Sequence, residues 1–153
     1  MNWLDSHCHI NDKAFDDDIE DVLNNMVNSN VTKAMIISSY IDDYHKALNI
    51  KHDSISFKYA LGIYPGDVDN VNEELFDKYV QLFNNCDAIG EIGLDYHWNK
   101  ENKDKQIEIF KRQVQIAKQL NKPIIVHTRD AVQDTYSVLR DNPNRGVIHC
   151  YSD

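Results

Sequence analysis

Pro123-Ile124-Ile125-Val126-His127-Thr128-Arg129-Asp130 reads as a short run of branched apolar residues that ends in histidine and passes into charge. A continuous apolar run of this length, bounded by proline and polar residues, suits a strand buried on both faces of a parallel sheet. Behind it Val132, Tyr136 and Leu139 recur at helical spacing, so the segment predicts one strand-helix unit. The same order repeats along the chain. Strands are predicted at 3–6, 33–38, 58–63, 88–93, 123–127 and 146–149, six units in all. Such alternation is the pattern of an α/β fold with a parallel sheet.

The intervening helices follow from periodicity. Ile19, Val22, Leu23, Met26 and Val27 form a stripe behind Asp16-Asp17-Asp18, whose carboxylates suit a helix N-terminus. Leu75, Tyr79, Leu82 and Phe83 form another behind an Asn72 cap, and Ile107, Phe110, Val114, Ala117 and Leu120 a third. His45 and His52 are expected on the second helix, facing solvent.

At 153 residues, 42% apolar and 27% charged, the chain is expected to form one domain, 1–153. Units of about 25 residues fill it six times, whereas a closed (β/α)8 barrel takes about 200 to 250 residues. The expectation is therefore a TIM (β/α)8 barrel of which about six units are present, incomplete at the C-terminus. Its two open sheet edges would offer a route to self-association.

No apolar run approaches the roughly 18 residues of a membrane span, and the first residues lack a basic-then-apolar leader. Cys8, Cys86 and Cys150 are too few and odd in number for a disulfide framework. A cytoplasmic protein with no membrane partner is expected. The net charge of −9 argues against a broad basic face for nucleic acid. It leaves open a phosphate site built on bound cations.

Four predicted strands end in groups able to bind metal. In Asp5-Ser6-His7-Cys8-His9, alternation puts His7 and His9 on one face and Cys8 on the other. In Ile89-Gly90-Glu91-Ile92-Gly93-Leu94-Asp95-Tyr96, Glu91 interrupts an apolar strand, where an unpaired carboxylate would cost several kcal/mol. It requires a metal or a cationic partner. Asp95 is read as orienting a ligand, touching substrate or capping the next loop. His127 and His149 each follow the last apolar residue of a strand, the end from which barrel strands present catalytic groups. Arg129 suits a phosphate oxygen, with an ion pair to Asp130 as the alternative. Tyr96 and Trp98 offer rings for base stacking or for packing over the barrel mouth, and His97 offers a substrate contact. Cys8 and Cys150 are expected to point away from the site as small buried groups.

The ordered segments DSHCH, GEIGLDY, PIIVHTRD and VIHCYSD resemble the motifs of the TatD family of metal-dependent deoxyribonucleases, over nearly the whole chain. The resemblance implies a barrel hydrolase with one or two divalent metals (Mg²⁺, Mn²⁺ or Zn²⁺). His7, His9 and Glu91 would hold one metal, Glu91, His127 and His149 the second, with Glu91 bridging. Glu91, His127 and His149 would also be the catalytic residues, with Arg129 and Asp95 at the substrate. The implied partner is DNA, single-stranded or at ends, cleaved by metal-activated water. Two departures are notable. The family's further aspartate ligand would lie several dozen residues beyond Asp153, so weak or no turnover is expected of this chain alone. Gly62-Ile63-Tyr64-Pro65-Gly66-Asp67 stands where many relatives carry histidines. The alternatives are a small-molecule amidohydrolase, lactonase or phosphoesterase on the same barrel, and an inactive metal-binding fragment.

Overall fold

The computed structural model describes residues 1–151, and the Pro123 segment forms a strand at Ile124–Arg129. It is the fifth of six: β1 Trp3–Cys8, β2 Val31–Ser38, β3 Ser56–Leu61, β4 Ala88–Asp95, β5 Ile124–Arg129 and β6 Gly146–Ile148. All neighbouring pairs are parallel, in the order β1-β2-β3-β4-β5-β6. The helices between them are α1 Ile19–Asn28, α2 Ile41–Ala47, α3 Glu73–Phe83, α4 Lys103–Gln119 and α5 Val132–Asp141. These six strands, with five helices among the described residues, form part of a TIM-barrel wall, the fold class expected.

The core lies between sheet and helices. Every residue of β4 is buried, as befits a central parallel strand covered on both faces. Phe76, Tyr79 and Phe83 of α3 and Ile109, Phe110, Val114 and Ala117 of α4 pack with Ile89, Ile92 and Leu94 in one cluster. The Asn72 side chain accepts from the Leu75 N–H at 2.8 Å, which makes it the cap expected. His45 lies exposed on α2, whereas His52 falls outside the helix. There its Nδ1 accepts from the Ser54 N–H at 3.1 Å in a tight turn, so local hydrogen bonding has replaced helical continuation.

Two buried glutamines on α4 join the helix to strand ends. The Gln113 amide accepts from Ile63 N–H at 2.8 Å and donates to Ile63 C=O at 3.2 Å. Gln106 does the same for Asp95, at 2.8 and 3.0 Å, and also donates to Asn99 C=O and Asn102 Oδ1. Each side-chain amide thus replaces a peptide partner where the chain leaves the sheet. The loops after β3 and β4 leave the wall from these anchored points.

β1 and β6 are the sheet edges, and Leu4 and Val147 on them are 62% and 44% exposed. A cavity of about 450 Å³, lined by residues such as Leu4, Met35, Ala88, Ile125 and Val147, opens at the N-terminal ends of the strands, opposite the histidines. No helix among the described residues is long and apolar enough to cross a membrane.

Candidate metal centre

Two ladder irregularities aim side chains at the carboxyl ends of the strands. β4 shifts register between Gly90, paired with Ile125, and Ile92, paired with Val126, so Glu91 is the extra residue. β1 shifts likewise between Asp5 and Cys8, the interval that contains His7. Such bulges turn a side chain out of simple alternation and concentrate near active sites. Beside Glu91, Gly93 has φ of +147°, and a Cβ there would lie 1.9 Å from the His127 carbonyl oxygen. Only glycine lets β4 approach β5 this closely.

Glu91 is 5% exposed, and four imidazoles converge on it, divided between its two oxygens. His7 Nε2 lies 3.3 Å and His9 Nε2 3.9 Å from Oε2. His127 Nδ1 lies 2.8 Å and His149 Nε2 2.6 Å from Oε1. The His7 and His9 Nε2 atoms are 3.0 Å apart, a spacing at which two ring nitrogens must share a proton or a cation. His7 also stacks on His149 with ring centroids 3.9 Å apart, so a side chain of the first strand meets one just past the sixth. Ligand atoms of His7, Glu91 and His149 all lie within 4.8 Å of one another. Among the described residues, no lysine or arginine pairs with Glu91. A buried carboxylate ringed by imidazoles alone, with nitrogen and oxygen donors aimed inward, fits a divalent cation.

The electrostatics agree with that donor set. Burial would raise the Glu91 carboxyl, but hydrogen bonds from His127 and His7 and the charge of His149 hold it well below the usual carboxylate range. Burial lowers His9 and His149. For His127 burial also acts downward, but hydrogen bonds to Glu91 and Asp95 prevail and raise it.

Asp95 is buried, 2% exposed. Its Oδ2 faces His127 Nε2 at 3.0 Å and accepts from the Tyr64 hydroxyl at 3.2 Å. Its Oδ1 accepts from the backbone N–H groups of His97, at 2.9 Å, and Trp98, at 3.4 Å. Of the roles read for Asp95 from the sequence, the geometry gives two: the carboxylate faces the ring nitrogen of His127 that points away from Glu91, and it caps the next loop. Burial would raise Asp95, but the His127 bond prevails and lowers it.

Tyr64, which follows β3, was not singled out from the sequence. Its hydroxyl lies 3.4 Å from His127 Nε2. Burial first and Asp95 next raise its pKa, while the charge of Arg129 acts the other way. Its position just past a predicted strand end was the available signal.

Arg129 does not pair with Asp130, which instead faces His97 Nδ1 at 3.2 Å. The guanidinium lies over the Trp98 ring at 5.3 Å. Tyr96 is buried and its hydroxyl donates to Asp134 at 3.0 Å, so its ring belongs to the packing. Cys8 turns from the site and donates to Met35 C=O at 3.3 Å. Cys150 is exposed, not buried as expected, because it lies past β6 at the sheet edge.

A curled wall of parallel strands whose carboxyl ends bring imidazoles onto one buried glutamate defines a barrel of the metal-dependent hydrolase class. The chain belongs to the family described as TatD related DNase, which residues 4–153 match. A relative from Bacillus subtilis (strain 168), named Uncharacterized metal-dependent hydrolase YabD, is 32% identical over 97% of this chain and 60% of its own length. The crystal structure of YJJV, a TatD homolog from Escherichia coli K12, matches with a TM-score of 0.86 and 25% identity, covering 99% of this chain and 61% of that one. A TatD family hydrolase from Entamoeba histolytica shares the fold, with a TM-score of 0.88 at 21% identity over 100% of this chain and 59% of that one. The chain thus spans about 60% of the length of the curated relatives it matches.

Proposed function

We propose that this chain carries the two-metal centre of a hydrolase that cleaves phosphodiester bonds of DNA. The observation that supports it most is the division of labour at Glu91: each carboxylate oxygen is approached by its own pair of imidazoles. In this reading His7 and His9 with Glu91 would hold one cation, and His127 and His149 with Glu91 the other. Mixed imidazole and carboxylate donors suit Zn²⁺ and accommodate Mn²⁺ or Mg²⁺. Bound cations would supply positive charge at the phosphoryl oxygens and hydroxide from water near neutral pH.

The protein's own groups supply the rest. Glu91 fixes the separation of the two imidazole pairs, and Asp95 keeps the Nδ1 of His127 turned inward by engaging its Nε2. Arg129, on the same strand face two residues beyond His127, provides a cation for a phosphate oxygen. The displacement at phosphorus would form one P–O bond as the ester P–O bond breaks, with the departing alkoxide protonated by solvent. The description of the family as DNases favours DNA among phosphodiesters.

The test is cleavage of single-stranded DNA by metal-loaded protein, run beside a panel of lactones and cyclic amides. DNA cleavage above a chelator-treated blank, abolished by His127→Ala, supports the reading. Turnover confined to the lactones and amides overturns it.

A further inference from the structure

Trp98 is 74% exposed, although an indole is among the largest apolar groups a protein can bury. It is nevertheless held in place. Its backbone N–H is capped by Asp95, and the loop beyond it is tied by Gln106 to Asn99 C=O at 3.1 Å and by Asn99 and Asn102 to Asp69. His97 meets the indole edge-on at 4.7 Å, and Asp130 of the next loop holds His97. The Arg129 guanidinium, which pairs with no carboxylate among the described residues, lies over the same ring. An exposed aromatic ring on the loop after β4 and a cation without a carboxylate partner at the end of β5 are thus set side by side next to His127.

Resting on the reading above, we propose that Trp98 and Arg129 form a nucleotide clamp beside the centre. Trp98 receives an unstacked base and Arg129 the neighbouring phosphate. A base stacks on an indole only after leaving its own helix, so the clamp selects single-stranded or frayed DNA ends over intact duplex. It also explains how a chain of net charge −9 grips a polyanion: the attraction is local, at Arg129 and the metal centre, rather than spread over a basic face. Asp95 couples the clamp to the centre, because one carboxylate orients His127 through Oδ2 and caps the Trp98 loop through Oδ1.

The chain has two tryptophans, so a Trp3→Phe background leaves Trp98 as the sole indole. Its fluorescence is titrated with an oligothymidylate eight nucleotides long, and with an abasic oligomer of equal phosphate count, in EDTA and in Ca²⁺. Quenching by the thymidylate but not by the abasic strand is expected. In anisotropy titrations Trp98→Ala should weaken thymidylate binding about 5- to 150-fold, the range for one lost base stack. Abasic binding should hold, and Trp98→Phe should restore most of the loss. Arg129→Gln should weaken both strands and lower the salt slope by about one. Equal quenching by both strands, or no loss of thymidylate binding in Trp98→Ala, overturns the clamp. Metal-dependent DNA cleavage with Trp98 unquenched overturns the clamp and leaves the hydrolase reading standing. Thymidylate-selective quenching together with turnover confined to lactones and cyclic amides overturns the phosphodiesterase reading and leaves the clamp standing as a nucleotide-binding site.

Discussion

Replacing Asp95 by asparagine changes one oxygen to an NH₂ group and little else in shape. In the native protein the carboxylate faces four donor groups: His127 Nε2, the Tyr64 hydroxyl, and the N–H groups of His97 and Trp98. An amide offers only one acceptor atom, so in either orientation two of these donors meet an N–H. With the oxygen toward the loop, the amide N–H faces His127 and favours the tautomer with bare Nε2 and protonated Nδ1. Nδ1 is the atom that lies 2.8 Å from Glu91, and once protonated it cannot bind metal. Loss of a carboxylate that orients a ligating histidine typically costs about 10- to 100-fold in metal affinity, which corresponds to about 1.4–2.7 kcal/mol. The loss should fall on the His127/His149 pair, leaving the His7/His9 pair within about twofold. Competition of Zn²⁺ between the protein and a chromophoric chelator reads both affinities, with circular dichroism confirming the fold. Tyr64→Phe, which removes one donor at 3.2 Å, should have a much smaller effect. Unchanged affinity at both sites in folded Asp95→Asn protein would refute the role assigned to Asp95.

Gln113→Leu strands the buried N–H and C=O of Ile63 and should destabilise the fold by about 2–4 kcal/mol in urea denaturation. Gln115→Leu, on the exposed side of the same helix, should stay within about 0.5 kcal/mol; equal effects would contradict the anchoring of Ile63 by Gln113. Thiol chemistry gives a further check. Burial, with help from the Asp5 charge, pushes Cys8 up to about 12, and burial pushes Cys86 up to about 11, so both are almost wholly protonated at pH 8. One rapid thiol per chain, the exposed Cys150, should react with Ellman's reagent before denaturation and two more after it. Three rapid thiols would contradict the partial burial of Cys8 and the burial of Cys86.

The strand-helix order and the positions of His7, Glu91, His127 and His149 were legible because a parallel strand is apolar until it ends, and a polar residue at that point stands out. Register was less legible. Glu91 and His7 occupy bulge intervals, which alternation does not encode, although Gly90 and Gly93 beside Glu91 marked a close approach of backbones. Gln106 and Gln113 lie on the same stripe as Ile109, Phe110, Val114 and Ala117, but apolar spacing records only which face is inward, not what a polar member of that face will bond. Asp95 and Tyr64 depend on contacts 31 and 32 residues apart in sequence, and no local pattern reports those. His52 and Cys150 departed from expectation for local reasons, a turn hydrogen bond in one case and an edge position in the other.

The most direct measurement is the metal content of the purified protein after Zn²⁺ equilibration and gel filtration, for wild type, His127→Ala and Glu91→Gln, each shown to be folded. If Glu91 bridges two imidazole pairs, wild type retains two equivalents, His127→Ala retains about one, and Glu91→Gln loses both. A Glu91→Gln protein that keeps two equivalents, or a wild type that never binds more than one, would contradict the bridged two-metal centre.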